Sequence, residues 1–151
     1  MGNIFNKDFR EFIDCLNKNN VSYLLVGGMA VILHGYVLTT GDMDIWVKKT
    51  SENYQLILKA FRDFGMSFFD MTEKKFLDKK FDVWSFGREP VKIDLMTEVK
   101  GLDFDEAFSK AQYYTEGNVT VRFLHINTLI DAKKASGRHR DIDDIEQLTK
   151  K

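Results

Sequence analysis

Two aspartates stand one residue apart in DMDIWV, where Asp42 and Asp44 lead directly into Ile45, Trp46 and Val47. Strand interiors are depleted in Asp, so a pair at the head of so apolar a run needs a reason. Side chains alternate faces along a strand, which puts Asp42 and Asp44 on one side and Met43 and Ile45 on the other, toward a core. Two carboxylates at that spacing repel unless something positive lies between them. A hard divalent cation such as Mg2+, with oxygen ligands and retained waters, meets that need. VKIDLM offers a third acid, Asp94, set between Ile93 and Leu95, where a lone buried carboxylate would be costly. Plainer readings exist for each: Asp42 follows Gly41 as a turn or cap residue would, and Asp94 could pair with a buried Lys or Arg. Three such acids in two strands make a shared metal site the stronger reading.

Gly27 and Gly28, in LLVGGMAVILHG, supply a second group. A strand that turns through two glycines into a helix leaves backbone N–H groups pointing outward at the helix start. With no side chains in the way, the backbone can approach a phosphate closely. A bare Gly-Gly also makes ordinary turns. Here it precedes the acid pair by little more than one helix, so a triphosphate and its metal ions would lie side by side.

These residues need elements to position them. KDFREFIDCLNKN, residues 7 to 19, spaces Phe9, Phe12, Ile13 and Leu16 as an amphipathic helix. SYLLVGG predicts a buried strand, Met29 to His34 a helix capped by Gly35, and DMDIWVKK a second strand. Thr50 and Ser51 offer an N-cap for a helix from Glu52 to about Phe64, closed by Gly65. MSFFDMTEKKFLDKK reads as irregular. FDVWSFG and VKIDLM flank GREP as a β-hairpin. GLDFDEAFSKAQYY predicts a short helix, VTVRFLHI a strand, NTLIDAKKAS a helix capped by Asn127 and broken at Gly137, and DIDDIEQLTKK a last helix. Mixed strands and helices with one hairpin give an α+β or α/β domain: one unit over 1–151, a mixed β-sheet flanked by helices.

Hydrophobic residues make up 44% and charged ones 30%, as in ordinary globular chains, and the formal net charge of −1 gives no global field to draw DNA or RNA. The single cysteine, Cys15, falls in the apolar stripe of the first helix and reads as core. No run is long enough to cross a bilayer, and MGNIFNKDF lacks the basic start and apolar core of a secretion signal. The expectation is a cytoplasmic protein with no membrane partner. Thirteen Phe against one Pro predicts a tight core with little linker.

GGMAVILHG followed by TTGDMDIWV resembles the signature of the nucleotidyltransferase superfamily with the DNA polymerase β-like fold. The closest likeness is to small prokaryotic proteins related to the AbiEii toxin group, and it extends to FGREPVKIDLMTEVKGLDFDEAF and LIDAKKASGRHRDIDDIEQL. The resemblance implies that Gly27 and Gly28 contact nucleotide phosphates. By the same likeness Asp42 and Asp44 bind two Mg2+ (or Mn2+) ions, and Asp94 holds one metal and activates the incoming hydroxyl. Lys133, Arg138 and Arg140 match basic positions of the relatives, with Lys133 and Arg138 expected at the triphosphate; an exposed charged helix is the plainer reading of Lys133. Leu38 departs from the pattern, since relatives often carry Arg there. His34 beside Gly35 is shared and reads as structural. His125 and His139 are isolated, and Asp141 and Asp144 read as cap or ion-pair residues. The implied reaction moves NMP from an NTP to a hydroxyl of a protein, tRNA or small molecule, with release of pyrophosphate. The alternative is a nucleotide-binding module of weak or no catalysis. The resemblance implies an antitoxin protein as partner, and the Phe-rich stretch from Phe68 to Phe81, read as exposed, offers an interface for a homo-oligomer.

Overall fold

A computed structural model describes residues 5–35, 41–68, 70–88 and 91–136. In chain order the elements are α1 (Lys7–Lys18), β1 (Tyr23–Val26), α2 (Gly27–Leu33), β2 (Asp42–Val47), α3 (Ser51–Phe64), α4 (Glu73–Leu77), β3 (Val83–Arg88), β4 (Val91–Met96), α5 (Phe104–Ser109), β5 (Gln112–Glu116), β6 (Val119–Phe123) and α6 (Ile126–Ser136). The strands form a six-stranded mixed sheet in the order β3-β4-β2-β1-β6-β5. β1 runs antiparallel to β2 and parallel to β6, and β2 runs parallel to β4. Hairpins β3–β4 and β5–β6 close the two edges. The fold is thus the mixed-sheet α+β arrangement that the sequence predicts.

Local chemistry sets the helix ends on one face of this sheet. The Asn6 side chain accepts from the Phe9 N–H (2.8 Å) to start α1, and Thr50 Oγ1 accepts from the Asn53 N–H (3.1 Å) to start α3. Gly65, in the left-handed conformation at φ 84°, ends α3. Phe9, Phe12, Ile13 and Leu16 of α1 are buried together with Ile57 and Phe61 of α3. Phe12 meets Phe61 and Phe64 edge-on, with centroids 5.6 and 5.3 Å apart. Full burial of such a side chain contributes about 1.5–3 kcal/mol. Under these helices lie Leu25, Met43, Ile45, Ile93 and Leu95, all fully buried. The other face is smaller: Leu24, Val26 and Trp46 pack beneath Ala30 and Val31 of α2 and Ala107 of α5. Phe104 covers Trp46 edge-on at 5.1 Å. Asn53 ties the two layers, accepting from the Ser22 N–H and donating to the Ser22 and Lys48 carbonyls.

Four sequence expectations shift. Gly27 opens α2 rather than closing the strand, so the helix begins two residues before Met29. The stretch read as irregular contains α4, started by Thr72, whose hydroxyl accepts from Lys75 N–H. QYYTE, expected at the end of a helix, is the edge strand β5, joined to β6 by a two-residue turn at Gly117 (φ 63°) and Asn118. α6 begins at Ile126, so Asn127 lies inside its first turn, where its own N–H donates to His125 Nδ1. The last expected helix lies outside the described residues, as does the centre of GREP. Of the Phe-rich stretch, Phe76 is fully buried and Phe81 is exposed. Among the described residues no helix is long and apolar enough to cross a membrane.

Candidate active site

Strand alternation and register assemble the acids. Met43, Ile45, Ile93 and Leu95 turn to the α1–α3 core and are fully buried, which forces Asp42, Asp44 and Asp94 onto the opposite face. In the parallel β2–β4 ladder Asp44 stands directly opposite Asp94, and Asp42 opposite Lys92. All three acids are half-buried. Adjacent strands lie about 4.8 Å apart, so the Asp44–Asp94 pair is a close meeting of like charges.

Each acid has a neighbour of a different kind. Ser85 of β3, opposite Asp94, donates its hydroxyl to Asp94 Oδ1 at 2.6 Å. Lys92 Nζ lies 3.6 Å from Asp42 Oδ2. Asp44, opposite Val26, sits against Gly27. A Cβ added at Gly27 would lie on the Asp44 carboxylate, 2.9 Å from Cγ and 3.0 Å from Cβ. Gly27 also holds φ at 69°, where L side chains are strained. Glycine is therefore required at this position on two counts. Gly28 follows, buried in the first turn of α2, whose N-cap residue Val26 provides no side-chain hydrogen bond.

Among the described residues no three acidic, His or Cys side chains gather into a metal-ligand group; Asp94 is engaged by Ser85 and Asp42 by Lys92. Mutual repulsion among carboxylates is reason enough for each to take its nearest donor. The donor set is all carboxylate oxygen, which suits a hard divalent cation, and the Gly27 cradle keeps the adjoining backbone bare. Asp42, Asp44 and Asp94 are the residues that would hold such an ion. Lys133 lies in α6 with its side chain outside the described set; Leu38, Arg138, Arg140, His139, Asp141 and Asp144 lie outside the described residues altogether.

The remaining candidates read as structural. His34 Nε2–H donates to the Leu124 carbonyl at 2.8 Å, its ring meets Phe123 edge-on at 5.2 Å, and burial pushes its pKa below the ordinary 6.5. Cys15 packs against the core beside α3, and burial pushes its thiol upward. Ser85 and Lys92 were not foreseen. Lys92 was legible, since Lys92-x-Asp94 obeys the same alternation as Asp42-x-Asp44. Ser85 was not, because only the hairpin register sets it beside Asp94.

This geometry can be set beside known proteins. Residues 5–151 match the family described as nucleotidyl transferase of unknown function (DUF2204). The fold is similar to that of the lincosamide antibiotic adenylyltransferase LnuA, solved with lincomycin, at a TM-score of 0.62, 15% identity and 99% coverage of each chain. It is also similar to that of TM1012, a candidate nucleotidyltransferase from Thermotoga maritima, at a TM-score of 0.60 and 16% identity, with 92% of this chain and 88% of that one covered. At these identities the likeness is one of fold. A comparison with curated proteins finds no sequence match. The match over almost the whole length shows that the chain belongs to the nucleotidyl transferase family DUF2204, and is a transferase.

Proposed function

We propose that the chain transfers NMP from a nucleoside triphosphate to a hydroxyl acceptor and depends on Mg2+ or Mn2+ held by Asp42, Asp44 and Asp94. The observation that carries this is the in-register pair Asp44–Asp94, on adjacent parallel strands, with bare backbone at Gly27 against it. A divalent ion bound there lowers the pKa of an attacking hydroxyl and stabilises the charge of a leaving pyrophosphate. The chain's own residues supply position and proton transfer. Gly27 and Gly28 bring the backbone close to the phosphates, and Lys133 and Arg138 are part of the same proposal. Asp94, oriented through Ser85, accepts the proton of the acceptor hydroxyl. The oxygen bonds to the α-phosphorus as the α–β bridging P–O bond breaks, and pyrophosphate leaves.

The acceptor is a protein, a tRNA or a small molecule. The chain, in this proposal, is akin to the AbiEii group, with an antitoxin partner, a homo-oligomer and a cytoplasmic setting; an antitoxin-like gene beside this one would support that kinship. Incubation with each labelled NTP, Mg2+ and cell extract tests the activity. Label should pass to one class of acceptor and vanish in Asp44→Asn. No transfer from any NTP, or full transfer by Asp44→Asn, would refute the reading.

A further inference from the structure

The acid face carries a cation of its own. Lys92 precedes Asp94 by two residues on β4, shares its face, and stands in register with Asp42, whose Oδ2 lies 3.6 Å from its ammonium. We propose that Lys92 is a resting counter-ion of Asp42 and that it exchanges Asp42 for the triphosphate when the metal-bearing nucleotide arrives. This rests on the metal-dependent reading above.

Three carboxylates on two adjacent strands repel, and an ammonium within salt-bridge reach of one of them relieves part of that repulsion. A dication at Asp42 reverses the situation. Held by that carboxylate, it would compete with the ammonium and repel it. Lys92 is free to leave, because its charge rides on a flexible four-carbon stem and the side chain is 39% exposed. The phosphates brought by the nucleotide would add a dense negative charge on this face to receive it. The two lysines that follow β2 are otherwise employed: Lys48 is held by Asp105 at 2.9 Å, and Lys49 by the Asp78 carbonyl at 2.9 Å and by Glu98 at 3.8 Å. Those lysines follow β2 at its other end and serve the fold.

The exchange makes two effects of opposite sign. Lys92→Gln removes one competitor for Asp42, so Mn2+ alone should bind about two- to fivefold more tightly, the range of a half-exposed ion pair. Inorganic tripolyphosphate added with Mn2+ carries the phosphates without a base, and should bind about tenfold more weakly or worse once a charge-assisted contact is gone. In a transfer assay KM for the NTP should rise more than kcat falls. Lys92→Arg, which keeps the charge, should stay near wild type in both titrations. Calorimetry on the folded proteins, with melting curves as a check of folding, reads all of this. Mn2+ affinity unchanged or lowered in Lys92→Gln, or tripolyphosphate affinity unchanged, would overturn the exchange while leaving the metal site standing. Absence of Mn2+ binding by the wild type, or Mn2+ binding undiminished in Asp44→Asn, would overturn the functional reading and the exchange together.

Discussion

Gly27→Ala is the sharpest perturbation of the candidate site, and Gly65→Ala is its internal control. Both glycines hold positive φ, 69° and 84°. Placing a Cβ in that conformation costs about 1–2 kcal/mol. At Gly65 no described residue lies within 4 Å of the added atom, so the backbone cost stands alone there. At Gly27 the new Cβ falls on Asp44, 2.9 Å from its Cγ and 3.0 Å from its Cβ. Rotating the carboxylate away relieves the first contact but not the second, because the Asp44 Cβ is fixed by the β2 backbone. Overpacking of this kind costs about 1–3 kcal/mol, which brings the total for Gly27→Ala to about 2–5 kcal/mol. For a chain of this size each kcal/mol moves Tm by about 2–4 °C. Gly65→Ala should therefore lower Tm by about 2–8 °C, and Gly27→Ala should exceed it by a further margin of similar size. The displaced Asp44 should also cost Gly27→Ala its Mn2+ binding, while Gly65→Ala keeps it. In an Asp44→Ala background the excess at Gly27 should shrink, since Cγ and the carboxylate are gone, and a double-mutant cycle measures that coupling. Equal melting losses for the two alanine variants, with Mn2+ binding intact in both, would refute the reasoning.

Two further outcomes are expected. Ser85→Ala should lower NMP transfer by about tenfold through loss of the charge-assisted contact to Asp94, with stability changed by no more than about 0.5 kcal/mol because the site is exposed; unaltered kinetics would remove Ser85 from the site. His34 has its pKa lowered by burial, so the unfolded chain takes up a proton near the ordinary 6.5 while the folded chain resists it. Its contribution is fully present above that value and is lost as pH falls from 6.5 through the lower folded pKa. Urea midpoints between about pH 7.5 and 5 should fall more steeply for wild type than for His34→Gln, which keeps a donor for the Leu124 carbonyl; parallel profiles would show that another group sets the slope.

Much of the frame was legible because single residues mark it. Thr50 and Gly65 bracket α3, the Phe9-Phe12-Ile13-Leu16 spacing defines α1, and alternation alone assigns Met43 and Ile45 to one face and Asp42 and Asp44 to the other. What escaped was decided by contacts distant in sequence. β5 is an edge strand with a mostly exposed, polar pattern, so it offered no apolar alternation to read. The Gly117–Asn118 turn was its one local signal. α4 is five residues long, too short for a helical stripe, and is organised around the single buried Phe76. The pairing of Asp44 with Asp94, and of Ser85 with Asp94, follows from which strands are neighbours, and that is set by the whole sheet.

The strand order has a consequence for how this chain must be made. β1 is central, with β2 on one side and β6 on the other, yet Leu25 meets its β6 partner only at Phe123. Everything that bears the acids, from β1 through β4, has emerged from a ribosome well before that partner exists. Until then one edge of β1, with its fully buried Leu24 and Leu25, is an open apolar template for pairing with the wrong strand. Closure across so long a stretch of chain is entropically slow. The first two-thirds of the protein can thus lay down its acid ladder early, while its freedom from aggregation waits on β6 to arrive.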